Sequence, residues 1–179
     1  MMNNINGKIV TVPEPATIVE IKDEIQDVKT FFLRFDNPDI EKNFKIRSGQ
    51  FVMLTVFDAG ESAISLPPSP ENDRFHLSVR KVGKVTEALH ALEVGDKVGI
   101  RGPFGNGFPF DELKGKNLIY VAGGIGLIPL RSSIVHALQH RNEFGRIIVL
   151  LGARTPKDLM YQYNIEEWLK IPGFECYVT

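Results

Sequence analysis

Asn117-Leu118-Ile119-Tyr120-Val121-Ala122-Gly123-Gly124-Ile125-Gly126-Leu127-Ile128-Pro129-Leu130 carries the chain from one periodicity to another. Leu118 to Ala122 is short, apolar throughout and followed by turn residues, the pattern of a buried strand. Leu130, Ile134, Ala137 and Leu138 then recur at i, i+4, i+7 and i+8, one face of a helix. Between them, Gly124-x-Gly126-x-x-Pro129 is a strand-to-helix turn. Glycine there permits positive φ and lets a diphosphate approach the main chain. Pro129 suits the first helical turn, where its missing N–H costs nothing. The free N–H groups and the positive end of the helix dipole then face an anion.

The strict dinucleotide fingerprint closes on Gly or Ala and expects an acidic residue at the end of the next strand. Here it closes on Pro129, and the next strand, Arg146 to Leu151, runs into Gly152-Ala153-Arg154 with no carboxylate. An ordinary Rossmann dehydrogenase is therefore disfavoured. Taken alone, the stretch fits a nucleotide turn and an αβ turn with packing glycines equally well. Ligands of open α/β sheets sit at the carboxyl ends of strands, so Gly152 to Asp158 lies on the same edge as Gly124 and Gly126. Arg154 suits a bidentate nucleotide phosphate contact, and equally a solvated loop position. Tyr161 to Trp168 is expected to be a helix, and Phe174 to Val178 a third strand.

Upstream, the grammar is different. Ile9 to Val19, Thr30 to Phe35, Gln50 to Val56, Phe75 to Val82 and Lys97 to Arg101 are short strand-like runs punctuated by Gly, Pro, Asn and Asp. Many short strands at this spacing predict a small antiparallel sandwich or barrel. Phe75, Leu77 and Val79 alternate with His76, Ser78 and Arg80, which predicts one packed face and one face offering a hydroxyl and a cation. The one helix-like piece is Thr86 to Leu92, with Thr86 of the N-cap type. Glycine and a hydroxyl at that helix start, in Gly83-Lys84-Val85-Thr86, make a second candidate phosphate site; a capped helix plugging the barrel end is the compatible plainer reading. Phe108 to Lys116 reads as a connection. The expected division is residues 1–112, all-β, and 113–179, α/β with a parallel sheet.

The 179 residues carry a formal net charge of −1, so nothing in the balance favours nucleic acid. No apolar run approaches the ~20 residues of a membrane span. The N-terminus lacks a basic segment followed by an apolar core, so no signal peptide is expected. Cys176 is the single cysteine. It excludes an intrachain disulfide, makes a reducing cytoplasm the simplest compartment, and cannot by itself hold an iron–sulfur cluster. His136 and His140, spaced i, i+4, lack a third ligand and the Glu of the metalloprotease motif, so a solvated helix face is the better assignment. Ser62, Ser65 and Ser69 lack a nucleophile-elbow setting.

Several strings, taken jointly, resemble the ferredoxin–NADP⁺ reductase superfamily from about Glu20 to Leu159: Ser48-Gly49-Gln50-Phe51, Ser62-Ala63-Ile64-Ser65, Gly83-Lys84-Val85-Thr86, Gly102-Pro103-Phe104-Gly105 and Gly124-Ile125-Gly126-Leu127-Ile128-Pro129. Within it, the chain looks like the electron-transfer subunits of dihydroorotate dehydrogenase, anaerobic sulfite reductase and the gamma subunit of NAD(P)-linked hydrogenases. The resemblance implies an antiparallel FAD-binding β-barrel followed by a partial NAD(P)-binding α/β domain, and a flavoprotein oxidoreductase subunit. FAD would lie against Ala63, Ile64, Ser65, Leu77, Ser78, Val79, Arg80, Gly83, Lys84, Val85 and Thr86. NAD(P)H, as substrate, would lie against Gly123, Gly124, Ile125, Gly126, Pro129, Gly152, Arg154 and Asp158. No catalytic side chain and no metal ligand is nominated.

The superfamily's flavin motif is Arg-x-Tyr-Ser; here Ser62 stands in place of the Arg and Ile64 in place of the Tyr. Arg80 is the candidate replacement charge. The family's nicotinamide domain continues for several more strands, and many subunits add a [2Fe-2S] cluster, so this chain is expected to be C-terminally truncated. A cluster is expected only with a cysteine-bearing extension. The expected partner is a redox subunit of hydrogenase, sulfite reductase or dehydrogenase type, in a hetero-oligomer. The rival reading is a flavin-free barrel serving as a docking module.

Overall fold

The computed structural model of the chain describes residues 12–67 and 75–179. Six strands form the first sheet: β1 (Glu14–Ile25), β2 (Val28–Phe35), β3 (Phe51–Val56), β4 (Gly60–Ser65), β5 (His76–Arg80) and β6 (Lys97–Phe104). All ladders are antiparallel, in the order β4-β3-β6-β1-β2-β5. Register shifts between Ile18 and Glu20 and between Asp23 and Ile25 put bulges in β1, the kind of irregularity that bends a strand and helps a sheet to curl. The inward side chains, among them Ile18, Phe31, Leu33, Leu54, Leu77 and Ile100, fill the half-barrel. Phe35, Phe44 and Phe75 close one end with ring centroids 4.8 to 5.6 Å apart.

The sequence expectations need four corrections here. β1 runs to Ile25, well past Val19, because Glu20, Lys22 and Asp23 pair with β2 despite their polarity; Ile9 to Thr11 lie outside the described residues, as does Ser69. β4 pairs with β3 along its whole length, although Gly60-Glu61-Ser62-Ala63 carries little strand propensity. The half-barrel holds two helices, not one. α1 (Pro38–Asn43) has Pro38 in its first turn and Asn37 as cap, with Asn37 Oδ1 accepting the Asp39 amide at 2.9 Å. α2 (Lys84–His90) starts after Gly83, which puts Thr86 inside the first turn and not at the N-cap.

The chain then makes one further turn of helix, α3 (Phe110–Leu113), inside the expected connection. The second sheet is parallel, β7 (Leu118–Gly123), β8 (Ile147–Gly152) and β9 (Phe174–Val178), in sequential order. α4 (Leu127–Gln139) and α5 (Gln162–Trp168) cross over between them. Both cover the same face, as right-handed crossovers in sequential order require: Leu118, Tyr120, Ala122, Ile147, Val149, Leu151 and Phe174 pack with Leu127, Ile134, Ile165 and Trp168. The opposite face presents Ile119, Val121, Leu150 and Tyr177 to solvent. The two units share apolar packing, because Val28, fully buried, and Ile25 at the tip of the β1–β2 hairpin join the core under the parallel sheet.

Candidate functional site

Two clefts open along the seam between the half-barrel and the α/β unit. The first, about 440 Å³, has one wall from Ser62, Ala63, Ile64 and Ser65 of β4 and Ser78, Val79 and Arg80 of β5, with Val82 and Thr86 beyond. Its other wall comes from the α/β unit: Ile125, Gly126, Ile128 and Pro129. The second cleft, about 570 Å³, is lined by Gly123, Gly124 and Ile125 at the end of β7 and by Gly152, Ala153, Arg154 and Asp158 at the end of β8 and beyond. Ile25, Asp27, Val28 and Arg80 close it from the barrel side. Arg80 and Ile125 belong to both clefts.

The glycines account for the shape of the turn. Gly124 holds φ at +48°, a left-handed conformation that a side chain disfavours. A Cβ at Gly123, Gly124 or Gly83 would meet no protein atom within 4 Å, so the main chain at these points lies open to a ligand. Gly126 and Gly152 differ: a Cβ there would meet Ala122 atoms at 3.8 and 4.0 Å, ordinary contact. Pro129 is in the first turn of α4, as its fixed φ favours.

Of the residues expected at FAD, Ala63, Ser65, Ser78, Val79, Arg80 and Thr86 line the first cleft. Ile64 lines it too, but is buried and counts among the barrel core. Leu77 points the other way, fully into the barrel core. Gly83, Lys84 and Val85 form the start of α2 and do not line the cleft. Gly126 and Pro129, expected at the nucleotide, line the flavin-side cleft instead. Ser62, Asp27 and Ala153 also line the clefts, beyond the ligands the sequence predicts; Asp27 sits in a hairpin turn whose sequence carries no motif.

The expected polar face of β5 is not open. His76 and Ser78 are buried. Ser78 Oγ receives the Tyr161 hydroxyl proton at 2.7 Å and is bonded to Thr30 Oγ1 at 2.7 Å. α5 and β2 have taken up the hydroxyl that alternation alone assigns to a ligand. Thr86 is likewise occupied: its hydroxyl accepts the Val82 and Gly83 amides at 2.9 and 3.0 Å and donates to the Gly83 carbonyl at 3.0 Å. Arg80 gives its Nε–H to Asp27, and Asp158 accepts from Thr155 Oγ1 at 3.0 Å. Arg154 is exposed, and among the described residues its guanidinium has no ion-pair partner.

The Ser48-Gly49-Gln50 string turns out to be architectural. Ser48 Oγ donates to the Ser132 carbonyl of α4 at 2.9 Å, tying barrel to α/β unit. Gln50 accepts the Arg47 amide and donates to the Gly105 carbonyl, at 2.8 and 2.9 Å. His136 and His140 stack with centroids 4.3 Å apart, Phe110 stacks on His136 at 3.9 Å, and His140 Nδ1–H donates to the His136 carbonyl.

Residues 15–108 match the family described as the oxidoreductase FAD-binding domain. The chain belongs to that family. Residues 120–179 match the oxidoreductase NAD-binding domain, so the seam lies between an FAD-binding and an NAD-binding unit. The chain is 39% identical over 155 residues to the sulfhydrogenase 2 subunit gamma of Pyrococcus furiosus, covering 87% of this chain and 54% of that protein. It is 36% identical over 156 residues to a probable dihydroorotate dehydrogenase B (NAD(+)) electron transfer subunit of Methanothermobacter thermautotrophicus, again covering 87% and 54%. It thus spans about half the length of the curated relatives it matches. A ferredoxin-NADP+ reductase from Plasmodium falciparum superposes with TM-score 0.80 at 18% identity, over 99% of this chain and 74% of that one. An Amycolatopsis cytochrome P450 reductase gives 0.76 at 27% identity, over 93% and 50%. The FAD-binding family membership and the reductase-like fold agree with the resemblance in the motifs. No helix among the described residues is long and apolar enough to cross a membrane.

Proposed function

We propose that this chain is the flavin- and nicotinamide-binding module of an electron-transfer subunit. The observation that carries the reading is the sharing of Arg80 and Ile125 by two clefts, one walled by the FAD-binding unit and one by the NAD-binding unit. Such sharing brings two ligands together. FAD, when bound, would supply the chemistry: it accepts a hydride from NAD(P)H and releases electrons singly.

The chain's own residues bind, orient and exclude water. Ser62 to Ser65 and Ser78 to Arg80 would hold the flavin, with the open main chain near Gly83 and the Arg80 guanidinium on its phosphate side. Gly123, Gly124, Gly152, Arg154 and Asp158 would hold the nicotinamide nucleotide, and Ile125 would separate the two. The cleft wall at Ile64, Val79, Ile128 and Pro129 is apolar, which suits an isoalloxazine ring and shields it from solvent. In this reading the units divide near residue 112, the electron acceptor is a partner redox subunit, and the complex is cytoplasmic. A [2Fe-2S] centre would have to come from cysteines outside these residues, since Cys176 stands alone.

The test is anaerobic. The chain is incubated with FAD, freed of excess and mixed with NADH or NADPH. Yellow protein whose visible flavin absorbance bleaches with either nucleotide is the expected result. A colourless protein, or bound FMN in place of FAD, would overturn the reading.

A further inference from the structure

A largely buried chain of polar side chains crosses from one unit to the other. The Tyr161 hydroxyl donates to Ser78 Oγ at 2.7 Å, Ser78 and Thr30 are joined at 2.7 Å, and Thr30 Oγ1 donates to Glu24 Oε1 at 2.8 Å. Glu24 is a carboxylate with only 3% of its side chain exposed. It also faces the Lys22 ammonium at 3.4 Å and the Tyr163 hydroxyl at 3.3 Å. Lys22 in turn lies over the Tyr163 ring, 3.9 Å from its centroid. Two tyrosines at the start of α5 therefore reach into the β1–β2 hairpin and β5 of the other unit.

The tyrosine end is held with unusual care. Tyr161 is buried and adopts φ +54°, a left-handed conformation that costs a non-glycine residue free energy and persists only where its surroundings enforce it. Buried Arg131 stacks on its ring at 4.8 Å, and Arg131 Nε–H donates to Asn164 at 2.8 Å. Burial pushes the Tyr161 phenol far above its ordinary range, so it stays protonated and stays a donor. The direction of the chain follows: tyrosine to serine, serine to threonine, threonine to carboxylate.

The Tyr161–Ser78 bond joins the segments that carry the two cleft walls. Ser78 immediately precedes Val79 and Arg80 on the flavin-side wall. Tyr161 closes the segment that begins with Gly152, Ala153 and Arg154 and contains Asp158, the wall of the nucleotide cleft. We infer that Tyr161, Ser78 and Glu24 are positioning residues: their hydrogen-bonded latch sets the NAD-binding unit at a fixed distance and angle to the flavin-facing strand. The inference rests on the proposed function for its consequence, though not for the geometry. Transfer between bound ligands is sensitive to placement on the ångström scale. A second tether, Ser48 to Ser132, reaches the flavin-side cleft through Pro129, whose carbonyl accepts from Ser132 Oγ at 3.1 Å, and Val28 and Ile25 pack across the units as well; the latch is the contact that ties α5 to β5.

The experiment places spin labels at Lys45→Cys on the barrel and Lys170→Cys on the α/β unit, in a Cys176→Ser background, and reads the distance distribution of the ligand-free chain. A single narrow distribution is expected, broadened in Tyr161→Phe and in Ser78→Ala, and broadened no further in the double variant, because both remove the same bond. Ser78→Ala keeps the test alive if Tyr161→Phe fails to fold. In parallel, flavin reduction at saturating NADH should slow about tenfold in Tyr161→Phe, with FAD retention and the nucleotide KM unchanged. Unchanged distributions in both variants would overturn the latch. A broadened distribution with an unchanged reduction rate would overturn the positioning role. A parent chain that holds FAD and is reduced by neither nucleotide would sink the proposed function and the positioning role with it, while the distance measurement still decides the latch itself.

Discussion

Asp27 accepts the Nε–H of Arg80 at 2.5 Å, across the mouth that joins the two clefts. The β2–β5 register, which pairs Val28 with Arg80, brings the hairpin turn beside the end of β5 and so sets the two charges together. Both side chains are about one-third exposed, so the pair itself contributes little to stability, about 0–1 kcal/mol. Its effect is on ligands: Asp27 competes with any phosphate for Arg80. Asp27→Asn should therefore tighten FAD binding, and Arg80→Ala should weaken it by about tenfold, as expected for loss of one charge-assisted contact. Arg80→Ala should also flatten the salt dependence. Fluorescence titration with FAD at low and high salt measures both; equal affinities in all three proteins would make Arg80 an ordinary surface residue.

Thr86 closes the Val82–Gly83 turn with three hydrogen bonds from one buried hydroxyl. Thr86→Ala strands two backbone amides and should cost about 1–3 kcal/mol in urea unfolding. Thr86→Ser keeps the hydroxyl and should cost clearly less. An equal loss in both would assign the effect to the lost methyl.

These residues show what the sequence could and could not tell. The switch from a short apolar run to helical spacing around Gly124 is a local signal, and β7, the turn and α4 stand close to where it put them. The parallel sheet follows from the same grammar repeated. β4 was hidden, because its pairing with β3 overrides poor propensity, and its role was legible only through the motif resemblance. The β5 face failed for a longer-range reason. Alternation says that Ser78 and Leu77 face opposite ways, which is true, but not that a tyrosine 83 residues later caps the serine. Asp27 and Tyr161 carry no motif at all; only the fold brings Asp27 to the nucleotide cleft and Tyr161 to Ser78.

Gly49 is required by its neighbour. A Cβ there would lie 2.6 Å from the Phe108 ring and 2.9 Å from the Phe108 backbone nitrogen, at φ +88°. The ring can shift; the backbone cannot easily do so. Gly49→Ala should destabilise the chain by about 1–3 kcal/mol. Phe108→Ala in the same chain should recover only part of that, since the backbone contact and the left-handed φ remain. Full recovery would show the ring alone to be the obstacle.

Two histidines make the chain sensitive to mild acid. Burial lowers the His90 pKa from its ordinary 6.5; the bond from Nε2–H to the Val79 carbonyl opposes this, and nearby Lys29 and Lys81 add to it. Burial and then the neighbouring His140 lower His136. In the unfolded chain both groups take up a proton near 6.5, while in the folded chain they resist it until lower pH. The unfolded state thus binds more protons in that window, and stability must fall as pH drops from above 6.5 through the depressed folded values. His90→Gln, which retains a donor for Val79, should flatten the fall in melting temperature between neutral and mildly acidic pH. An unaltered slope would shift the effect to His136, whose Gln variant then has to remove it.

Among the described residues, helices cover one face of the parallel sheet only. Val121 is 70% exposed and Ile119 63%, and Leu150 and Tyr177 flank them on the neighbouring strands. Parallel sheets ordinarily have both faces buried, so this row of apolar side chains is a surface prone to association in the 179-residue chain. Arg146 and Glu175 pair across β8 and β9 at 2.8 Å and keep one end of the same face polar, which confines the exposed patch to the end nearer the glycine turns. Val121→Lys together with Leu150→Lys should lower self-association and apolar-dye fluorescence, with little effect on the melting temperature, because neither side chain packs on the core. Sedimentation at increasing concentration tests the first part and a thermal scan the second. A large loss of thermal stability would mean that this face is already covered in the isolated chain, and unaltered self-association would place the contact elsewhere.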